Sequence, residues 1–316
     1  YNKSLFKDDL VAGIIVGIIL IPQGIAYALI AGLPPIYGLY CALAPQVMYA
    51  IFGSSRQVAI GPVAMDSLIV ATGVSTLALA GSDSYISIAI LLALLVGLIQ
   101  FFMGVFRLGF VVNFLSKPVI TGFTSAIALI IGLNQFGNLF GVDFTQSDQI
   151  QHLIKNIWEQ LANYSSHTTL IGCFSIVLII IFRKINKKIP NALIVVILGI
   201  LVIKYFGKSL GDVSIIRDIP SGLPSFGVPN FDIDQIRELL PIALTLVMVG
   251  YLETISIGKS LEAKQEEYRI RPNQELIALG LSNLVGSLFQ AYPISSSFSR
   301  SAVNQESGGK TGMAAL

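Results

Sequence analysis

The sequence is poor in charge and in the residues that build metal and disulfide sites. Only 12% of its 316 residues are charged, whereas 54% are hydrophobic. Soluble domains carry about 25% charge, so this deficit excludes an ordinary soluble protein and indicates many membrane spans. The two cysteines, Cys41 and Cys173, lie in apolar runs, and the two histidines have no partners at ligand spacing. We therefore expect neither a disulfide framework nor a metal site.

The sequence also lacks basic patches and recognisable groups of catalytic residues. The net charge is +2, and no cluster of Lys and Arg is interleaved with aromatic residues. The sequence therefore predicts no nucleic-acid partner. No nucleophile, base and orienting residue stand out together, so we expect no enzyme and no cofactor.

Long apolar stretches dominate what is there. Residues 10–55 contain no Asp, Glu, Lys or Arg, which is enough for two helices of about 20 residues each. The turn between them is marked by Gly-Leu-Pro-Pro at 32–35. An amphipathic stretch with Trp158, within the loop 137–167, predicts a short interfacial helix. The full pattern predicts ten helices, near 9–31, 34–52, 62–79, 84–106, 116–136, 168–183, 190–206, 237–258, 273–289 and from about 296.

The positions of the basic residues predict the orientation. Most of the 20 Lys and Arg fall on one side of the membrane if the N-terminus is cytoplasmic. The strongest cluster is RKINKK at 183–188. Because cytoplasmic loops are enriched in Lys and Arg, we expect a multi-pass protein of the plasma membrane with a cytoplasmic N-terminus.

Two of the predicted helices are interrupted. In the stretch 54–70, Gly61 and Pro62 open the helix. Proline suits the first turn of a helix and pushes the residue before it into extended backbone. In the stretch 291–304, Pro293 breaks the chain before a row of serines that can cap a helix. Each segment therefore predicts an extended strand followed by a helix that begins inside the bilayer.

Two helix N-termini that meet at membrane depth would form an anion site. Each N-terminus carries about half a positive charge and free N–H groups, and paired interruptions are typical of transporters built from inverted repeats. The groups expected to bind the anion are the backbone N–H groups of Val63 and Ala64 and the N–H and hydroxyl groups of Ser295, Ser296 and Ser297. The alternative is that the serines only cap the helix and fill a close helix contact.

Three charged residues lie within the predicted membrane helices. Arg300 is about one turn into the second half-helix, from where it could reach back toward the anion or pair with a carboxylate. Glu253 lies deep in an apolar helix, where a carboxylate is costly unless it is paired, solvated or protonated. A structural pair of Glu253 with Arg300 or Lys259 is the alternative to a functional role. Asp66 is a second intramembrane acid without an assigned role, which could pair with a Lys or bind a cation.

Four separated motifs resemble the sulfate permease (solute carrier 26) family. IPQGIAYALIAGLPPIYGLY at 21–40 is similar to its signature. SSRQVAIGPVA, VGYLETISIGKSL and SSSFSRSAVN are similar to its third, eighth and tenth helices. The resemblance implies an all-α polytopic membrane protein with two inverted repeats of seven helices, as in nucleobase transporters. This chain would contain about helices 1–10, so that helices 11–14 and the usual cytoplasmic STAS domain would be absent.

The resemblance also implies a division of the chain and a mode of action. A core domain would move against a gate domain by alternating access, and the full-length protein would be a homodimer. The expected parts are first-repeat helices at 1–136 (core helices 1–4 and the start of the gate), an extracellular loop at 137–167, gate helices at 168–206, a second extracellular loop at 207–236, and second-repeat core helices at 237–316.

The resemblance places Gln23 and Tyr27 on the binding cavity. They are four residues apart, on one helix face, although simple helix packing would explain that spacing equally well. The family has a basic residue at the position of Arg300, and a Glu at position 253 is associated with proton coupling. Two helix ends and Arg300 give about +2, and an ionised Glu253 removes one charge. A dianion would therefore favour the protonated form of Glu253.

The expected function is secondary active transport of a small inorganic anion, in the first place sulfate taken up with protons. Bicarbonate or a dicarboxylate is the alternative substrate. An uncoupled anion exchanger or channel could use the same site. A nucleobase transporter of this fold would need a carboxylate facing the N–H groups of the base, and the serines with Arg300 favour an anion instead.

Overall fold

The computed structural model describes residues 3–114, 135–142, 150–185, 191–206, 222–263 and 269–316, with isolated positions between 122 and 133 and at 213. The chain divides into two units. The first unit combines Tyr1–Thr121 with Pro220–Leu316, and the second is Gly122–Ile219.

The first unit begins with three helices rich in apolar residues. Helix α1 (Lys3–Ile30) contains Pro22. Helices α2 (Pro35–Tyr40) and α3 (Ala44–Phe52) follow. One helix was predicted over 34–52, but a turn at 41–43 divides it. Pro45 lies in the first turn of α3, where a missing N–H costs nothing, whereas inside a continuous helix it would remove a hydrogen bond.

The next elements contain the first predicted interruption. Strand β1 (Ala59–Gly61) leads into helix α4 (Ala64–Val74), and helix α5 (Asp83–Val105) follows. The side chain of Ser82 caps α5 by accepting from the Tyr85 N–H at 3.2 Å. A 3₁₀ turn occupies Leu108–Phe114.

The second unit is helical in its described part. Its elements are α6 (Phe136–Phe140), α7 (Ile150–Gln160), a 3₁₀ turn at Leu161–Asn163, α8 (Ser166–Ile185) and α9 (Asn191–Phe206). Helix α7 occupies the amphipathic stretch of the sequence, with Leu153 buried and Trp158 81% exposed. Whether α7 lies at a membrane interface stays a prediction.

The remaining part of the first unit contains the second of the two interrupted helices. Helix α10 (Ile233–Glu262) is capped by Asp232, whose carboxylate accepts from the Asp234 N–H at 3.0 Å. Helix α11 (Pro272–Leu288), strand β2 (Ser295–Ser297) and helix α12 (Phe298–Glu306) follow, and a 3₁₀ turn occupies Gly312–Ala315.

The two short strands join the distant parts of the first unit. Strands β1 and β2 pair antiparallel, with Ala59 opposite Ser297 and Gly61 opposite Ser295. All residues of both strands are buried. Each strand leads directly into a short helix, so both predicted extended segments are present and they bond to each other.

Close packing between helices also holds the first unit together. Helices α5 and α11 meet at Gly97 and Gly280, where an added Cβ would lie 2.5 Å from the Leu284 nitrogen and 2.4 Å from the Phe101 nitrogen, respectively. Glycine thus permits backbones to touch, as is common between membrane helices. The core is otherwise aliphatic, with residues such as Leu91, Leu92 and Leu246 almost wholly buried.

Four helical segments among the described residues are long and apolar enough to cross a membrane, or five if a pair bent by 118° is counted as one span. Several of the ten predicted helices are shorter than a full span. Helices α4 and α12 in particular are half-helices that follow the strands. More than half of the predicted helix over 116–136 lies outside the described residues, as do most of 207–221 and positions 186–188 of the basic cluster. The division into repeats, core and gate stays a prediction.

Candidate anion-binding site

The site is built where α4 and α12 begin, on either side of the paired strands. Residue Val63 precedes α4 in extended conformation and provides no side-chain hydrogen bond to the helix end. Gly61 has φ +136°, a conformation that other residues avoid. The N–H groups of the first turn of α4, including that of Ala64, are therefore not capped by the residue before the helix. Two helix N-termini in one buried place create a positive potential.

The hydroxyl groups of the serine row all bind other side chains. Ser295 donates to the Glu253 carboxylate at 2.9 Å, and the Ser296 hydroxyl lies 2.7 Å from the Thr254 hydroxyl. The Ser297 hydroxyl lies 3.3 Å from the Ser299 hydroxyl, and it also accepts from the backbone N–H of Arg300 at 3.4 Å and so caps α12. In the structure the serines thus act as caps and as contacts to α10, which the sequence left as an alternative.

Close approach of α10 makes these contacts possible. An added Cβ at Gly250 would lie 3.1 Å from the Ser295 Cβ. A larger residue there would push β2 away from the helix. Gly250 is therefore the reason why Glu253 and Thr254, one turn later, reach the strand.

Arg300 is the strongest indication of a bound anion. Its side chain is fully buried, and its Nη1 donates to the Gln23 Oε1 at 3.1 Å. Its Nε and Nη2 have no hydrogen-bond partner. An added Cβ at Gly61 would lie only 3.2 Å from Nη2. A buried guanidinium with open donors is costly unless an anion or water satisfies it, and Gly61 leaves that side of it free.

The predicted residues of α1 meet this arginine. Gln23 is half-buried and holds one edge of the guanidinium. Tyr27, about one turn further along the helix, is close enough to Arg300 to interact with it electrostatically. The structure therefore brings α1 and α12 together at Arg300, and the binding cavity implied by the resemblance stays a prediction.

The two intramembrane acids lie next to each other. Glu253 is half-buried and Asp66 is 2% exposed. The Ser295 hydroxyl interacts with both carboxylates. The alternative that Glu253 pairs with Lys259 is not supported, because Lys259 instead binds Glu262 at 2.9 Å.

Several polar residues that sequence reasoning did not single out hold the strands in place. Gln46 donates to the Ile60 carbonyl at 3.2 Å, and Ser301 accepts from the Ala59 N–H at 2.9 Å. Asn283 accepts from the Ile294 N–H at 2.9 Å and donates to its carbonyl at 3.1 Å. Gln46 and Asn283 are lone amides in apolar stretches, and that signal could have identified them.

The sulfate permease family matches residues 6–316. The chain belongs to this family. It is 42% identical to "Sulfate transporter 4.1, chloroplastic" of Arabidopsis thaliana over 322 residues. This alignment covers 99% of this chain and 46% of the plant protein. The chain is 36% identical over 335 residues to "Solute carrier family 26 member 6" of Homo sapiens, covering 99% and 44%, respectively. The chain thus spans about half the length of these relatives.

Two solved transporter structures have the same fold. The murine Solute Carrier 26 family member A9 anion transporter in its inward-facing state superposes with a TM-score of 0.89 at 27% identity, covering 100% of this chain and 55% of that one. The transmembrane domain of the cyanobacterium bicarbonate transporter BicA superposes with 0.87 at 23% identity, covering 100% and 81%. These findings confirm the predicted family and the polytopic helical membrane fold. Members of the family are transporters rather than enzymes.

Proposed function

We propose that this sulfate permease family member is a secondary active transporter of a small inorganic anion, sulfate in the first place. The observation that carries the proposal is the buried guanidinium of Arg300, whose Nε and Nη2 have no partner. The names of the plant relatives, which are sulfate transporters, support the choice of sulfate.

The anion would lie between the N-termini of α4 and α12, beside Arg300. Backbone N–H groups of Val63, Ala64 and the 295–297 strand would donate to it, and Gln23 and Tyr27 would close the side toward α1. Gln23 orients the guanidinium by accepting from Nη1. The serine hydroxyls contribute less to binding, because each already has a side-chain partner.

Transport would be coupled to a proton through Glu253. Ser295 links this carboxylate to the strand that leads into α12. An ionised Glu253 opposes the positive potential of the site, and a protonated one does not. A dianion would therefore enter together with a proton, and the core would carry both across by alternating access. In the cell, a homodimer in the plasma membrane with cytoplasmic N-termini is the proposed state, although one relative is chloroplastic.

The first experiment measures radiolabelled sulfate uptake by the full-length protein in proteoliposomes, with and without an inward proton gradient. Uptake that rises with the gradient would support proton-coupled sulfate transport. Currents larger than the tracer flux would indicate a channel instead. If sulfate is not taken up, uptake of radiolabelled bicarbonate and of radiolabelled dicarboxylates in the same assay decides the substrate.

A matched pair of variants tests the site itself. R300Q should abolish uptake, because it removes the buried positive charge that faces the anion. R237Q removes an arginine from α10 whose side chain is 77% exposed, and it should leave uptake unchanged. Equal uptake by R300Q and R237Q would contradict an anion site at Arg300.

A further inference from the structure

Asp66 is a buried carboxylate that the anion site described so far does not use. It lies in the first turn of α4 and is 2% exposed. Its Oδ1 has no hydrogen-bond partner in the structure. An isolated ionised carboxylate in such a place is costly, so Asp66 requires a counter-charge or a proton.

The neighbour that Asp66 faces is a second acid. Glu253 on α10 and Asp66 on α4 interact electrostatically, and the hydroxyl of Ser295 interacts with both. One hydroxyl hydrogen can serve only one carboxylate at a time, and it is donated to Glu253 at 2.9 Å. The other acid is left with an unpartnered oxygen atom.

No described cation neutralises the pair. Within the described ranges, neither carboxylate forms an ion pair, and Arg300 on α12 donates to Gln23 instead. The other titratable groups around α4 and α10 are engaged elsewhere. Tyr292 shares a hydrogen bond with Ser67 at 3.1 Å, Tyr251 donates to the Gly109 carbonyl at 2.6 Å, Lys259 binds Glu262, and Glu275 accepts from Ser54 and Ser55.

We propose that Asp66 and Glu253 form one proton-binding pair that shares a proton in the empty transporter and takes up a second proton with the anion. Two carboxylates in contact with the same small group cannot both remain ionised in a buried site, and one proton between them relieves the repulsion. The proposal rests on the proposed function and assigns to Asp66 a role beside Glu253.

The charges of the site support two protonation steps. The two helix ends contribute about +1 together, and Arg300 adds one. A pair with a single proton subtracts one, which leaves about +1 for an incoming dianion. A second proton, drawn from the side on which the anion enters, raises this to about +2 and neutralises the anion. Only this second proton is bound and released as H⁺ with each anion, and no redox partner is needed.

The test is the pH profile of sulfate uptake by the full-length protein in sodium-free proteoliposomes at constant membrane potential. D66N removes the negative charge that attracts a proton to Glu253. Its half-maximal uptake should therefore move to a more acidic pH by about one unit or more, since interacting acids titrate together. E253Q should shift the profile in the same direction, and the double variant should lose its pH dependence.

Two control variants separate charge from structure. S67A removes the neighbouring buried hydroxyl of α4 without changing any charge, and its half-maximal pH should equal that of the wild type. D66E retains the acid and should also keep the wild-type profile. A D66N protein with reduced uptake but an unchanged half-maximal pH would overturn the pair. Uptake that rises when sodium is added to these proteoliposomes at constant pH would overturn it as well, because a cation would then balance the acids.

An infrared measurement tests the pair without relying on the substrate. The purified wild-type protein at neutral pH should show an absorption band of protonated carboxyl groups that weakens in E253Q and is lost in D66N/E253Q. A wild type without this band refutes the pair. If sulfate uptake is absent but the band behaves as expected, the proposed substrate fails and the proton-binding pair stands.

Discussion

The guanidinium of Arg300 donates a hydrogen bond of 3.1 Å to the side-chain oxygen of Gln23. These residues are 277 positions apart in the chain, on α12 and α1. The bond leaves Nε and Nη2 of the arginine free. The arginine is therefore oriented from one side and open on another, which is the arrangement that a binding group requires.

Loss of this orientation should weaken anion binding. Q23L removes the acceptor but little volume, and a hydrogen bond to a charged group contributes about 1.5–3 kcal/mol. The KM for sulfate should rise roughly 10- to 100-fold, with a smaller change in the maximal rate. Kinetics of tracer uptake would measure it. The matched variant Q274L removes an amide that donates to the Phe52 carbonyl outside the site, and a similar rise there would refute the prediction.

A side chain at position 61 should block the free side of Arg300. The added methyl group of G61A would lie 3.2 Å from Nη2 and would strain the backbone at φ +136°. Uptake should fall at least roughly tenfold, which corresponds to about 1.4 kcal/mol. G81A tests the strain alone, because Gly81 has φ +78° and no atom near the added group. If G81A lowers uptake as much as G61A, contact with Arg300 is not the cause.

Asn283 should be needed for the stability of the second strand. Its amide binds both the N–H and the carbonyl of Ile294 and also the Gln100 side chain. N283L leaves these buried groups unpaired, each at a cost of about 1–3 kcal/mol, so the unfolding temperature should fall markedly. S282A removes only a bond to the Ala278 carbonyl within the same helix. Thermal unfolding in detergent compares the two, and an equal small loss would contradict the prediction.

Cysteine labelling can test which side of the membrane the two ends of the first unit face. Asp9 near the start of α1 accepts from the N–H groups of Lys310 and Thr311, so these segments lie on one side of the membrane. With Cys173 replaced by serine, S307C should react with an impermeant maleimide only after the cells are opened. F226C, in the exposed segment before α10, should react in intact cells. The reverse pattern would place the N-terminus outside.

The sequence alone determined the membrane class, the family and the places of the two breaks. Charge-free stretches reveal membrane spans because a bilayer excludes charge, and Pro62 and Pro293 act on their immediate neighbours. The turn that divides the predicted helix 34–52 was not expected from the sequence. The turn at 41–43 interrupts an apolar stretch that reads as one helix, because a proline tolerated in a first turn looks the same in sequence as a proline inside a bent helix.

Which polar groups meet depends on the tertiary structure. The sequence places Asp66, Glu253 and Ser295 in three separate apolar segments, and nothing local indicates that one hydroxyl lies between the two acids. The antiparallel pairing of β1 with β2 and the close approach of α10 at Gly250 bring them together. Likewise, the open donors of Arg300 depend on Gln23 and Gly61, which belong to other elements. Long-range packing sets these contacts, whereas local sequence sets the helices and their ends.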